Sequence, residues 1–236
     1  MGKRAIILAG GKGTRLKPYT ISLPKPLVPI GETPILEIII KQLKASGFDH
    51  ITLTVNHMAD IIQAYFGDGS KWDLKIDYSF ETKALSTMGP LTNIKDLPDN
   101  FLVMNGDVLT NLPFGSFYNE HVQTGKLFTI ASYIRKDNVE YGVLTSNDND
   151  ELIRFEEKPE KEYLVSMGVY MMSKLNLKYI PNDTFFGFDH LMNKLILEKE
   201  FPSLFKFQGY WLDIGRPVDY ERAIEEFEEM NFFDER

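Results

Sequence analysis

The apolar positions of this chain follow two different periods, and the period in force changes along its length. Ala5-Ile6-Ile7-Leu8 is an unbroken apolar run, the signature of a strand buried on both faces. Phe101-Leu102-Val103-Met104 is a second such run and is expected to lie centrally in a sheet. Between them Ile35, Ile38, Ile39 and Leu43 recur at helical spacing. Thr33 is placed to cap that helix, Pro34 to occupy its first position and Gly47 to close it. Residues 50–55 and 74–80 read as strands, and residues 59–66 as a helix stopped by Gly67. Strands alternating with helices predict a Rossmann-like, doubly wound α/β fold with a mostly parallel mixed sheet.

Beyond about residue 112 the strands come closer together. Residues 114–124 fit a helix, and 128–134, 142–146, 152–155 and 164–172 fit strands. The Ser-Asn-Asp-Asn-Asp run at 146–150 is a hairpin turn. Helices are expected over 188–198 and 217–230, with one extended stretch over 204–212. No linker, repeat or low-complexity tract divides the chain, so residues 1–236 are expected to form one domain.

Composition narrows the class. Hydrophobic residues make up 43% of the chain, enough for a sizeable core, and no window has the run of apolar residues that a membrane span needs. Cysteine is absent, which removes disulfides, thiolate metal sites and a thiol nucleophile. The histidines are scattered without metal-ligand spacing. A net charge of −8 argues against nucleic acid as the main partner. No signal-peptide layout opens the chain, and a cytoplasmic location is the expectation.

Against that acidic balance, the first acidic residue is Glu32. The stretch before it runs from the first strand into Ala9-Gly10-Gly11-Lys12-Gly13-Thr14-Arg15, with Lys17 and Lys25 following. Glycines that expose backbone N–H groups, set among clustered cations, make an anion site suited to polyphosphate. A Walker loop is excluded because no GxxxxGK followed by Ser or Thr is present. A dinucleotide fingerprint is excluded because Leu16 takes its last glycine position and no acid ends the next strand. Asn105-Gly106-Asp107 follows the second apolar run, and alone it reads equally as a turn or as a metal carboxylate at a strand end.

Leu8 to Leu16, followed by Pro24-Lys25-Pro26, resembles the L-A-G-G-x-G-T-R-L and P-K-P signature of the sugar-phosphate nucleotidylyltransferases, or NDP-sugar pyrophosphorylases. Phe155-Glu156-Glu157-Lys158-Pro159 resembles that family's F-x-E-K-P, Tyr141-Gly142-Val143 its Y-G-V/I, and Trp211-Leu212-Asp213-Ile214-Gly215 its W-x-D-x-G. Residues 81–91 are similar to its E-x-x-P-L-G-T-A-G-P-L segment, with Ser86 for a usual glycine and Met88 for a usual small residue. That substitution is expected to reshape the base pocket. Ser166-Met167-Gly168 stands where Asn-x-Gly is usual.

The resemblance implies a nucleotide-binding half over about 1–112 and a sugar-phosphate half over about 113–236. It implies that an NTP and a sugar 1-phosphate give an NDP-sugar and pyrophosphate, with Mg²⁺ as cofactor. Leu8, Ala9, Gly10, Gly11, Gly13, Thr14, Arg15, Glu81 and Gly89 would bind the nucleotide. Arg15, Lys25 and Lys158 would be catalytic, Gly142, Glu157, Lys158 and Ser166 would bind the sugar phosphate, and Asp107 and Asp213 would hold the metal. The look is closest to the branch using GTP with mannose, heptose or glucosamine 1-phosphate. Use of dTTP, UTP or CTP is an alternative, as is a non-catalytic regulatory subunit that binds nucleotide sugar. A GT-A glycosyltransferase is disfavoured, since positions 105 and 109 are Asn and Leu and give no Asp-x-Asp motif. Many members carry a C-terminal left-handed β-helix, and a catalytic domain without it is expected here. Phe232 and Phe233 near the end suggest a contact, and a homodimer is expected.

Overall fold

The computed structural model describes residues 2–229. In chain order its main elements are β1 (Lys3–Leu8), α1 (Ile35–Ala45), β2 (Phe48–Val55), α2 (Ala59–Phe66), β3 (Lys75–Phe80), β4 (Asn100–Asn105), β5 (Val108–Thr110) and α3 (Phe114–Thr124). There follow β6 (Phe128–Asn138), the hairpin of β7 (Val143–Ser146) and β8 (Leu152–Glu156), and the long β9 (Glu160–Ser173). The chain closes with α4 (Phe188–Leu197), β10 (Ser203–Phe207), β11 (Trp211–Asp213) and α5 (Pro217–Glu229).

The main sheet has seven strands in the order β10-β6-β9-β4-β1-β2-β3. Every neighbouring pair is parallel except those made by β9, which runs antiparallel to both β4 and β6. Alternation along the central strands feeds two cores. Ala5 and Ile7 of β1 and Leu102 and Met104 of β4 pack into the layer with α1, α2, α3 and α5. Ile6, Phe101 and Val103 face the other layer, where Leu91, Leu191 and Leu195 meet them. Burying each such side chain stabilises the fold by roughly 1.5–3 kcal/mol. Both faces being covered is why these strands read as unbroken apolar runs.

The chain starts in the middle of this sheet, moves outward through β2 and β3, then returns to β4 on the other side of β1. That reversal opens a crevice at the carboxyl ends of β1 and β4. Ala9 N–H donates to Thr54 O at 2.9 Å and Gly106 N–H to Leu8 O at 3.0 Å, so the glycine loop and the Asn105–Asp107 turn share one edge. The two halves are interleaved: β9 inserts beside β4, and β11 pairs with β5.

Four expectations are corrected or fall outside the description. Helix α1 begins at Ile35, because Thr33 and Pro34 pair with Pro29 and Ile30 in a two-residue ladder and Thr33 caps nothing. The stretch 204–212 is two strands in different sheets. Between them Tyr210 N–H donates to Asn111 Oδ1 at 2.7 Å, which pulls the chain off the sheet edge and onto β5. Met88 does not enter a ligand pocket: it is 0% exposed, packed with Leu91 and Val103. The proposed helix end at Met230 and the contact by Phe232 and Phe233 lie outside the described residues.

Candidate active site

The glycine loop is shaped by what it must pass. A Cβ on Gly10 would stand 3.1 Å from Glu81 Oε1, whereas one on Gly11 would meet nothing within 4 Å. Gly13 has φ 62°, and a Cβ there would stand 2.9 Å from Thr20 Cγ2 and 3.2 Å from Lys25 Cβ. Only glycine allows both that backbone and that approach. Thr20 Oγ1 donates to Gly13 O at 2.7 Å and pins the loop over the Lys25 segment. Thr14–Leu16 forms one 3₁₀ turn, anchored by buried Leu16, that leaves Thr14 and Arg15 exposed.

Four charged side chains converge below it. Lys25, with its side chain 11% exposed, forms an ion pair with Asp107 Oδ2. The other oxygen of that carboxylate, Asp107 Oδ1, is buried without a hydrogen-bond partner. Asp213 comes from β11, which is held antiparallel to β5 with Asp213 opposite Val108. Ile214 N–H donates to Asp107 O at 3.0 Å and ties the two acidic turns together. The cleft walls desolvate Asp213 and push its carboxyl above the usual range; Asp107 adds to the rise, while Lys25 and Arg15 oppose it. A Cβ on Gly215 would stand 3.8 Å from Asp213 Oδ2 and 3.9 Å from Arg15 Cζ, which places Arg15 over the same turn.

Beside Asp213 lies a small cavity of about 190 Å³, lined by Asn105, Ser166, Gly168 and Trp211 among others. Ser166 sits where the β9–β6 register breaks, before Tyr170. Its Oγ donates to Tyr170 Oη at 3.2 Å and accepts from Gly168 N–H at 3.3 Å. Trp211 is a wall: its Nε1–H donates to Met167 O at 3.0 Å, and its ring lies 5.4 Å from that of Tyr133. Glu157 and Lys158 are exposed on the turn between β8 and β9. A Cβ on Gly142 would stand 3.3 Å from Glu157 Oε2, so Gly142 and Glu157 belong together. Among the described residues neither Glu157 nor Lys158 makes a hydrogen bond or ion pair with the Lys25, Asp107 and Asp213 group.

On the far side of the loop, burial pushes the Glu81 carboxyl up, opposed by a hydrogen bond from Leu85 N–H. The following segment is sewn to the loop before α4. Met88 and Gly89 N–H both donate to Phe186 O, at 3.0 and 2.9 Å. A Cβ on Gly89 would stand 2.6 Å from Thr184 O, so this glycine serves backbone fit. Ser86 has φ 63°, the left-handed conformation that a glycine adopts more readily. Sequence reasoning missed Thr20 and the arginines around Arg15, described below; Arg216, adjoining Trp211-Leu212-Asp213-Ile214-Gly215, was the one visible cue.

The family model for nucleotidyl transferases matches residues 4–230. The chain belongs to the nucleotidyl transferase family. It is 32% identical over 241 residues to a UTP–glucose-1-phosphate uridylyltransferase of Synechocystis, covering 94% of this chain and 62% of that protein. It is 32% identical over 234 residues to the mannose-1-phosphate guanylyltransferase catalytic subunit beta of Xenopus tropicalis, covering 92% of this chain and 62% of that one. The chain thus spans 62% of the length of these curated relatives. Among solved structures, HddC from Yersinia pseudotuberculosis complexed with GMP-PN superposes with TM-score 0.71 at 29% identity, covering 96% of this chain and 100% of that one. A putative glucose-1-phosphate thymidylyltransferase from Bacillus anthracis shares the fold, with TM-score 0.79 at 24% identity over 97% of this chain and 96% of that one.

Proposed function

We propose that this nucleotidyl transferase makes an NDP-sugar and pyrophosphate from an NTP and a sugar 1-phosphate. The observation that carries the proposal is the convergence of Arg15, Lys25, Asp107 and Asp213 at the crevice beneath a glycine loop. A phosphate oxygen of the sugar phosphate attacks the α-phosphorus, a new P–O bond forms, and the bond to the leaving pyrophosphate breaks. Both reactants are anions, so bringing them together is the main task, and positioning can supply ~7–11 kcal/mol of the barrier. The backbone of Gly10, Gly11 and Gly13 with Thr14 and Arg15 cradles the β- and γ-phosphates. Lys25 offsets charge at the α-phosphate, Lys158 on the exposed turn after β8 reaches the attacking phosphate, and Glu157, Gly142 and Ser166 receive the sugar.

Asp107 and Asp213 fit a divalent cation, Mg²⁺ in this proposal. Their oxygens are hard donors, and Asp107 Oδ1 lacks a protein partner. No cluster of three or more His, Cys, Asp or Glu exists among the described residues, so substrate phosphate oxygens and water would supply its remaining ligands. When bound, the ion neutralises phosphate charge and orients oxygens for in-line displacement.

GTP is the favoured nucleotide. Glu81 lies beside Gly10 and presents carboxylate oxygens, which accept both the N1–H and the amino group of guanine. Uracil and thymine offer one such donor flanked by carbonyls. The GMP-PN complex of HddC supports guanine, while the uridylyltransferase relative keeps UTP as a second reading. Mannose 1-phosphate is the first acceptor to try, from the guanylyltransferase relative. Mass spectrometry of the products tests this: a nucleoside-diphosphate sugar should form with GTP and metal and vanish with EDTA. Formation without any divalent metal would contradict the roles given to Asp107 and Asp213.

A further inference from the structure

A cavity of about 660 Å³ shares Trp211 and Asp213 with the small Ser166 cavity. Its lining includes Arg15, Arg135, Lys136, Arg216 and Arg222 against only Asp213 and Asp219 as acids. In a chain of net charge −8, such an excess of cations in one concavity is a site for a polyanion. The cations differ in how far they are engaged. Lys136 pairs with Glu160 and Glu162, Arg135 with Asp137 and Arg222 with Glu226. Arg15 and Arg216 enter no salt bridge among the described residues. Asp219 accepts the Arg216 N–H at 2.8 Å, which fixes the backbone from which the Arg216 side chain leaves.

We propose that Arg216 binds the β- and γ-phosphates of the nucleotide and the pyrophosphate they become, opposite Arg15 and with Arg135 on the facing strand. This rests on the nucleotidyl-transfer function proposed above. Two guanidinium forks beside one glycine loop match a diphosphate, because each fork engages phosphate oxygens bidentately. The sugar phosphate is the poorer occupant, since Ser166, proposed above to receive the sugar, lines the smaller cavity and not this one.

The test is calorimetric binding of inorganic pyrophosphate, with Mg²⁺, to the full chain and to Arg216→Gln and Arg216→Lys, alongside kinetics of the reverse reaction from NDP-sugar. Arg216 is exposed, and thermal unfolding should show both variants folded as the unsubstituted chain. Arg216→Gln is expected to weaken pyrophosphate binding, and to raise its KM, by tenfold or more. Arg216→Lys should recover part of the loss, and KM for NDP-sugar should stay within twofold. Pyrophosphate binding unchanged within twofold in Arg216→Gln overturns the assignment. So does simultaneous binding of NTP and pyrophosphate to the unsubstituted chain, which would mark a separate effector site. Loss of pyrophosphate binding in Arg216→Gln, in a protein that forms no NDP-sugar, would uphold the anion site and contradict the reaction instead.

Discussion

Lys25 and Asp107 form a nearly enclosed ion pair whose carboxylate has one unpartnered oxygen. A buried pair of this kind is weak evidence of stabilisation. Its placement under the glycine loop fits the proposed role of a charge held ready for phosphate. Arg15→Ala and Lys25→Ala should each lower turnover by about 10²–10³, the loss of ~3–4 kcal/mol that follows removal of one preorganised charge contact. Circular dichroism should show both folded. Turnover near that of the unsubstituted chain in either variant would remove that residue from the chemistry. Met88 carries the opposite expectation. It fills the core beneath the base segment, so Met88→Ala should cost about 2–5 kcal/mol in urea unfolding while KM for nucleotide changes little.

At the scale of elements, the residues proposed to receive the acceptor are split between a long strand and an exposed turn. Ser166 is fixed at the β9 irregularity, while Glu157 and Lys158 lie exposed on the turn between β8 and β9. Lys158→Ala should therefore raise KM for sugar 1-phosphate by about ten- to a hundredfold, as expected for a lost charged hydrogen bond, with nucleotide binding by calorimetry unchanged. A variant that loses nucleotide affinity instead would place Lys158 on the triphosphate. The strands were readable wherever both faces are buried: Ala5-Ile6-Ile7-Leu8 and Phe101-Leu102-Val103-Met104 announced the sheet centre and so the crevice. The break at Tyr210 was not readable, because it is made by Asn111, some hundred residues away, and no local period records it. The misplacement of Met88 has the same origin. A side chain in a ligand-facing segment can turn inward when the partner layer, here Leu91 and Val103, leaves room. The Arg216 cavity was invisible because its cations come from the first loop, β6 and α5, far apart in the chain.

At the scale of the whole molecule, a buried titratable network remote from the crevice surrounds His121. His121 is 1% exposed. Its Nε2–H donates to Asn100 Oδ1 at 3.1 Å, and its Nδ1 lies 2.7 Å from Thr129 Oγ1, whose hydroxyl donates to it when the ring is neutral. Burial pushes its pKa down from 6.5 to about 4. The unfolded chain therefore binds a proton between these values that the folded chain refuses. The stability this group contributes is present above about pH 6.5 and lost as pH falls toward 4. The loss should be about 3 kcal/mol. Urea unfolding across pH 4–7 should show that slope, and His121→Gln should flatten it; an equal slope in both would assign acid sensitivity to carboxylates elsewhere.

The reaction proposed for the crevice is transfer of a nucleotidyl group to a sugar phosphate. Pyrophosphate release, measured with Mg²⁺ across GTP, UTP, dTTP and CTP against several sugar 1-phosphates, tests it most directly. Release is predicted with GTP, only when a sugar 1-phosphate is present, with mannose 1-phosphate among the active acceptors. Release with another nucleotide alone would contradict the role of Glu81 in choosing the base. No release with any pair, in a protein that still binds nucleotide by calorimetry, would contradict the claim itself.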